Sequence, residues 1–184
     1  MRIVFGIILA SLVSISAYSQ QSLKNGDSAP MFSAASLNGQ QYDLNGLKGK
    51  VVVITFWSTR CNICHSEIPK LNRLADRFKG QDVVFLGLTT DNESKVESYL
   101  RSTPFQFNIL PNSFGVLLQY ADRDRQGNID MGFPAYFVLD QNGTLEYRAS
   151  GWDKTSNLDS NIGKLLGSAR LEKPTPDVIA NSPR

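Results

Sequence analysis

The chain has 184 residues, 41% hydrophobic and 20% charged, with 19 Lys and Arg against 17 Asp and Glu. A net charge of +2 is too balanced to favour nucleic acid or a strongly charged membrane surface as partner. Two cysteines and one histidine are too few for a disulfide scaffold or a four-ligand zinc site, so no metal is expected.

At the N-terminus, Arg2 precedes an uncharged apolar stretch over residues 3–15, and Ala17-Tyr18-Ser19 places small residues where a signal peptidase reads. A cleavable signal peptide is expected over residues 1–19. About 13 apolar residues fall short of the ~20 that span a bilayer, so the mature chain is expected to be soluble, without a membrane span. Cleavage would leave about 165 residues with a net charge of +1, enough for one well-buried domain in a periplasmic or equivalent space.

Residues 20–30 read as extended chain, and Asn38-Gly39 marks a β-hairpin between residues 31–37 and 40–44. Residues 51–57 (VVVITFW) are β-branched and apolar without alternation, as in a strand covered on both faces. The spacing of Ile68, Leu71, Ala75 and Phe78 predicts a helix closed by Gly80, and residues 83–88 predict a second buried strand parallel to the first. Asp91 or Asn92 caps a helix over about 93–101 that Thr103-Pro104 ends. A short strand over 107–110, a helix over 113–120 and a solvated loop over 122–130 follow. Asn142-Gly143 joins strands 136–139 and 145–149, and residues 157–166 form a last helix with Ile162, Leu165 and Leu166 inward. Residues 169–184 are expected to be a disordered tail, leaving the domain at 20–168.

The two cysteines stand as Cys61-Asn62-Ile63-Cys64, between the first buried strand and its helix. A bridge closing so small a loop restrains the unfolded chain little, so redox work explains the pair better than stability does. At a helix N-terminus, unpaired N–H groups and the helix dipole favour thiolate over thiol, which makes Cys61 the nucleophile and Cys64 the thiol that resolves a mixed disulfide. Arg60 adds positive charge if it turns toward Cys61. Glu67, one turn beyond Cys64, is either a proton relay or a solvated first-turn carboxylate. An inert reduced pair is the plain alternative. Cys61-x-x-Cys64-His65 also matches the attachment signal of c-type haem, with His65 proximal and Met131 the candidate distal ligand. Haem attachment, however, needs no buried strand before the motif.

Lys48-Gly49-Lys50 through Phe56-Trp57-Ser58-Thr59-Arg60-Cys61-x-x-Cys64-x-x-Glu67-x-Pro69 resembles the TlpA/ResA-like branch of the thioredoxin superfamily. Gly26-Asp27-x-Ala29-Pro30-x-Phe32 with Leu37-Asn38-Gly39 resembles the leading segment of that branch and of the related AhpC/TSA-type peroxiredoxins. The run from Gly132-Phe133-Pro134 to Asp140 resembles the strand that opens with a cis-proline, and together the matches cover residues 24–152. The resemblance implies a thioredoxin-like α/β fold: a central mixed sheet flanked by helices, with an N-terminal β-hairpin extension. It implies Cys61 as nucleophile, Cys64 as resolving thiol and Glu67 as a functional carboxylate beside them. It also places Trp57, Arg60, Phe133 and a cis Pro134 around the substrate, with the Phe133 backbone free to pair with it.

The implied reaction is disulfide reduction in other exported proteins, and the resemblance extends the substrates to apocytochromes awaiting haem. Re-reduction would come from a membrane thiol–disulfide electron donor. No bound cofactor is expected, because the cysteine pair carries both electrons. The sequence departs from the family pattern where Arg60 replaces tryptophan, Asn62-Ile63 replaces Pro-Pro, and Thr55 replaces the buried aspartate of thioredoxin. A thiol peroxidase of peroxiredoxin type is the competing reading, weakened because Ser58 stands where its threonine is expected.

Overall fold

A computed structural model describes residues 22–172. The expected signal peptide, and residues 173–184 of the expected 169–184 tail, lie outside the described residues, while residues 169–172 of that tail are helical rather than disordered. The elements are β1 (Ser33–Ala35), β2 (Gln41–Asp43), β3 (Val51–Trp57), α1 (Asn62–Arg77), β4 (Val83–Thr89), α2 (Glu93–Leu100), β5 (Asn108–Leu110), α3 (Phe114–Tyr120), β6 (Asp122–Arg123), β7 (Ile129–Asp130), β8 (Ala135–Leu139), β9 (Leu145–Ser150) and α4 (Thr155–Glu172).

The five-stranded sheet has the order β5-β4-β3-β8-β9. Every residue of β3 is buried, as its unbroken apolar run requires of a central strand covered on both faces. β3 runs parallel to β4 through α1 and antiparallel to β8, which makes the sheet mixed. Val52, Ile54 and Phe56 meet Tyr120 of α3 and Phe32, Tyr42 and Leu44 of the N-terminal hairpin on one face. Val51 and Val53 meet Leu71, Leu74 and Phe78 of α1 and Leu158 and Ile162 of α4 on the other. The β1–β2 hairpin turns at Asn38-Gly39, with Gly39 at φ 80°, and the Tyr120 hydroxyl donates to the Pro30 carbonyl at 3.0 Å to tie that extension down.

Two elements differ from the sequence expectation. The loop over 122–130 is exposed from Arg123 onward, yet it is organised as the β6–β7 pair, because Asp124 Oδ1 accepts from the amides of Gln126 (2.9 Å) and Asn128 (2.8 Å). Asp122 then binds Arg148 of β9 at 2.6 Å. Helix α4 spans Thr155–Glu172 rather than 157–166: Gly167 does not stop it, and the Ala-Arg-Leu-Glu that follows has high helix propensity.

Candidate active site

β3 delivers the chain to the C-terminal edge of the sheet at Trp57, and residues 58–60 turn it into α1. Cys61 is the N-cap of α1 with extended backbone (φ −93°, ψ 99°), and its Sγ accepts the Cys64 N–H at 3.1 Å. Sulfur thus occupies the place an oxygen takes in an ordinary cap, where a free helix N–H and the dipole stabilise negative charge. The Cys61 amide donates to the Ser58 carbonyl and the His65 amide to the Cys61 carbonyl, both at 3.1 Å. Cys61 and Cys64 form a disulfide with their Cα atoms 5.2 Å apart. Cys61 is half-buried, whereas Cys64 is only 1% exposed. One sulfur can be reached by a partner and the other is held behind it.

Trp57, expected at the substrate contact, is 1% exposed and stacks on Tyr99 (5.4 Å) and Phe105 (4.6 Å). Its ring is therefore the floor beneath the cysteines and offers a partner no surface. That floor depends on Gly87 of β4: a Cβ there would lie 2.6 Å from Ile109 Cδ1 and 3.3 Å from Trp57 Nε1. The Phe133–Pro134 peptide is cis, Pro134 is buried, and the half-buried Phe133 joins Trp57, Cys61 and Cys64 in one apolar cluster. Arg60 is exposed beside the pair, its amide donating to Ser58 Oγ at 3.3 Å.

His65 is half-buried, with Nε2 3.1 Å from the Thr59 carbonyl and its ring 4.8 Å from that of Tyr99. A carbonyl only accepts, so Nε2 carries the proton there and has no lone pair to give a haem iron. Met131, the other ligand of that reading, packs into the core cluster on the Phe137 side of the sheet.

Glu67 is fully buried, which removes the solvated alternative. It falls on the inward stripe Cys64–Glu67–Leu71–Leu74 of α1. Oε1 accepts from Lys70 Nζ at 2.8 Å, while Oε2 has no partner. Lys70 also reaches Asp153 at 3.2 Å and lies over the exposed Trp152 ring at 5.8 Å. The bond to Glu67, followed by that to Asp153, holds Lys70 above its ordinary pKa. The Tyr136 hydroxyl is likewise buried without a partner; burial first, and then the Glu67 charge, raise its pKa well above the usual phenol value.

Sequence reasoning missed Asp91, reading it only as a possible helix cap. Asn92 is the cap, its Oδ1 accepting the Lys95 amide at 3.0 Å. The Asp91 carboxylate turns instead to the loop before Cys61: Oδ2 accepts from Thr59 N (2.8 Å), Ser58 Oγ (3.0 Å), Thr59 Oγ1 (3.0 Å) and Thr89 Oγ1 (3.3 Å). Burial alone would raise its pKa, but these hydrogen bonds outweigh burial and hold the carboxyl below its ordinary value. The only sequence signal was an aspartate two residues after a strand parallel to the one that carries the motif.

A model of the AhpC/TSA family matches residues 25–148. The thiol-disulfide oxidoreductase ResA of Bacillus cereus is 25% identical over 171 residues, 89% of this chain and 94% of that protein. The thioredoxin domain of a thiol-disulfide oxidoreductase from Bacteroides vulgatus superposes with a TM-score of 0.66 at 25% identity, over 79% of this chain and 99% of that one. A thiol:disulfide interchange protein of the thioredoxin family from Chlorobium tepidum also superposes with a TM-score of 0.66; its 22% identity, over 78% of this chain and 99% of that one, speaks to the fold.

Proposed function

The chain belongs to the AhpC/TSA family and is a thiol–disulfide oxidoreductase, and from that premise we propose that it works outside the cytoplasm, reducing disulfides in other exported proteins. The Cys61 thiolate attacks one sulfur of the partner disulfide; that S–S bond breaks, and the partner's other sulfur leaves as a thiolate that takes a proton. Glu67 takes the Cys64 proton, and the Cys64 thiolate then attacks Cys61 Sγ, releasing the partner's second thiol and closing the Cys61–Cys64 disulfide. Two electrons pass to the partner, whose first sulfur takes a proton from solvent and whose second takes the one Glu67 holds. A membrane thiol–disulfide donor supplies them again, and apocytochromes awaiting haem are among the substrates.

The asymmetry of the two sulfurs carries this reading: Cys61 caps the helix and is half-exposed, and Cys64 is buried behind it. The exposed Arg60 and the Phe133 backbone before cis Pro134 are the proposed partner contacts. The apolar stretch over residues 3–15 supports export, and no helix among the described residues is long and apolar enough to cross a membrane.

The deciding measurement is the reduction potential of the pair, equilibrated against defined thiol buffers. A value near or below about −250 mV is expected of a reductant, while one near about −120 mV would make the protein a disulfide donor and overturn the proposed direction. Cys64→Ser is expected to trap a mixed disulfide through Cys61. Hydroperoxide consumption that depends on Cys61 would favour the peroxidase reading instead.

A further inference from the structure

The Cys61 loop has little to hold it locally. Residues 58–60 contribute no apolar anchor, and the loop's own polar contacts are the Ser58 carbonyl to Cys61 and the Ser58 hydroxyl to the Arg60 amide. Its main fixing comes from Asp91, 32 and 33 residues away in sequence, at the end of the adjacent parallel strand. The β3–β4 register makes this possible by setting Trp57 against Thr89, so that both strand ends open onto the same edge of the sheet. Asp91 is itself rigid: its amide donates to Thr89 Oγ1 at 3.2 Å and its carbonyl accepts the Asn112 amide at 3.0 Å. With 6% of its surface exposed, its negative charge is poorly screened. The Thr59 residue it holds is in turn bound through its carbonyl to His65 of α1.

We infer that Asp91 is the positioning residue of Cys61: it fixes the loop that presents the thiol and keeps a buried negative charge on that loop, at Ser58 and Thr59. The inference rests on the reading of Cys61 as the attacking thiol and extends it to what sets that thiol's reactivity. A nearby carboxylate disfavours a second negative charge, so it opposes the helix N-terminus and keeps Cys61 from becoming too acidic a thiol. A less stable thiolate means a less stable dithiol state, which makes the pair more reducing. The other ionisable groups around the pair are placed differently. Arg60 points to solvent, His65 is bound to Thr59, Glu67 is neutralised by Lys70, and the Tyr99 and Tyr136 hydroxyls lie above their ordinary pKa and stay protonated.

The test uses the whole mature protein with Asp91→Asn, Thr59→Val and Cys61→Ser. Asp91→Asn keeps the shape and removes the charge. The midpoint for Cys61 thiolate formation, followed by ultraviolet absorbance, is expected to fall, and the equilibrium with glutathione is expected to shift about tenfold toward the dithiol, a potential ~30 mV less negative. Loss of a merely structural contact would slow exchange without moving both quantities in that direction. Thr59→Val keeps the charge and removes one donor; it should slow exchange about threefold while leaving the Cys61 midpoint at or above that of the wild type. The inference is overturned if Asp91→Asn titrates and equilibrates as the wild type does. Should that variant fail to fold, a Thr59→Val protein with wild-type exchange overturns it. Exchange persisting in Cys61→Ser overturns the nucleophile assignment itself. An inactive Cys61→Ser beside an unchanged Asp91→Asn defeats this inference alone.

Discussion

Asp91, on the Cys61 side of the pair, gathers four donors onto one carboxylate oxygen, whereas Glu67, on the Cys64 side, has Lys70 on one oxygen and nothing on the other. Both side chains are buried. A satisfied buried carboxylate is part of the architecture, since every donor it holds would lose its partner without it. A half-satisfied one costs stability, and such groups persist where proton transfer uses them. In the proposed reaction, Cys61 is therefore held by a rigid flank, while Cys64 has a half-satisfied carboxylate one turn behind it.

The sharpest way to break that contrast is Asp91→Ala. Three loop donors lose their acceptor, and a loss of about 3 kcal/mol is expected in denaturant titration. The same flank should set the acid limit. Asp91 and the Arg148-bound Asp122 are both held below the ordinary carboxylate value, so the folded chain binds fewer protons than the unfolded one as the pH falls. Their contribution is complete above the unfolded value of about 3.9 and is lost as the pH drops through the lower folded values. The thermal midpoint should therefore fall between about pH 5 and pH 3, and less so in Asp91→Asn.

Glu67→Gln should show the opposite profile. Resolution of a trapped mixed disulfide is expected to slow about a hundredfold, ~2.7 kcal/mol of barrier, with little change in unfolding free energy. A Glu67→Gln protein that loses as much stability as Asp91→Ala, at an unchanged rate, would erase the distinction between the flanks. Gly87→Ala addresses the floor common to both. With Ile109 Cδ1 2.6 Å from the new methyl, it is expected to cost about 2 kcal/mol, with the Trp57 fluorescence displaced. The smallest effect is expected from Arg148→Ala, which breaks a partly exposed pair between β6 and β9. It should cost about 1 kcal/mol and leave the reduction potential unchanged.

Much of this frame was legible before any coordinates, because its signals are local. The unbroken β3 run, the inward stripe of α1, the Asn-Gly turns and a C-x-x-C between strand and helix each depend on residues within one turn or one hairpin of each other. Helix α4 outruns its expected end at residue 166 because the helix propensity of the residues after Gly167 prevails over that glycine. The charge and the Gly and Asn content of residues 122–130 read as a solvated loop, and composition does not show that Asp124 organises it through the amides of Gln126 and Asn128.

By itself the sequence determined where the two thiols stand, which one caps the helix, and that a buried strand delivers them; backbone geometry and side-chain periodicity act over a few residues. Only the tertiary structure decided that Trp57 is floor rather than contact surface, that Glu67 is sealed with one oxygen unpaired, and that Asp91 clamps Thr59. Tyr99 and Phe105 cover Trp57, Glu67 meets the Tyr136 side of the sheet, and the Asp91 clamp follows from parallel pairing of β3 and β4, which sets Trp57 against Thr89 and so joins residues about thirty positions apart along the chain. Sequence spacing carries no record of such a register, because it is fixed when the sheet closes over its core.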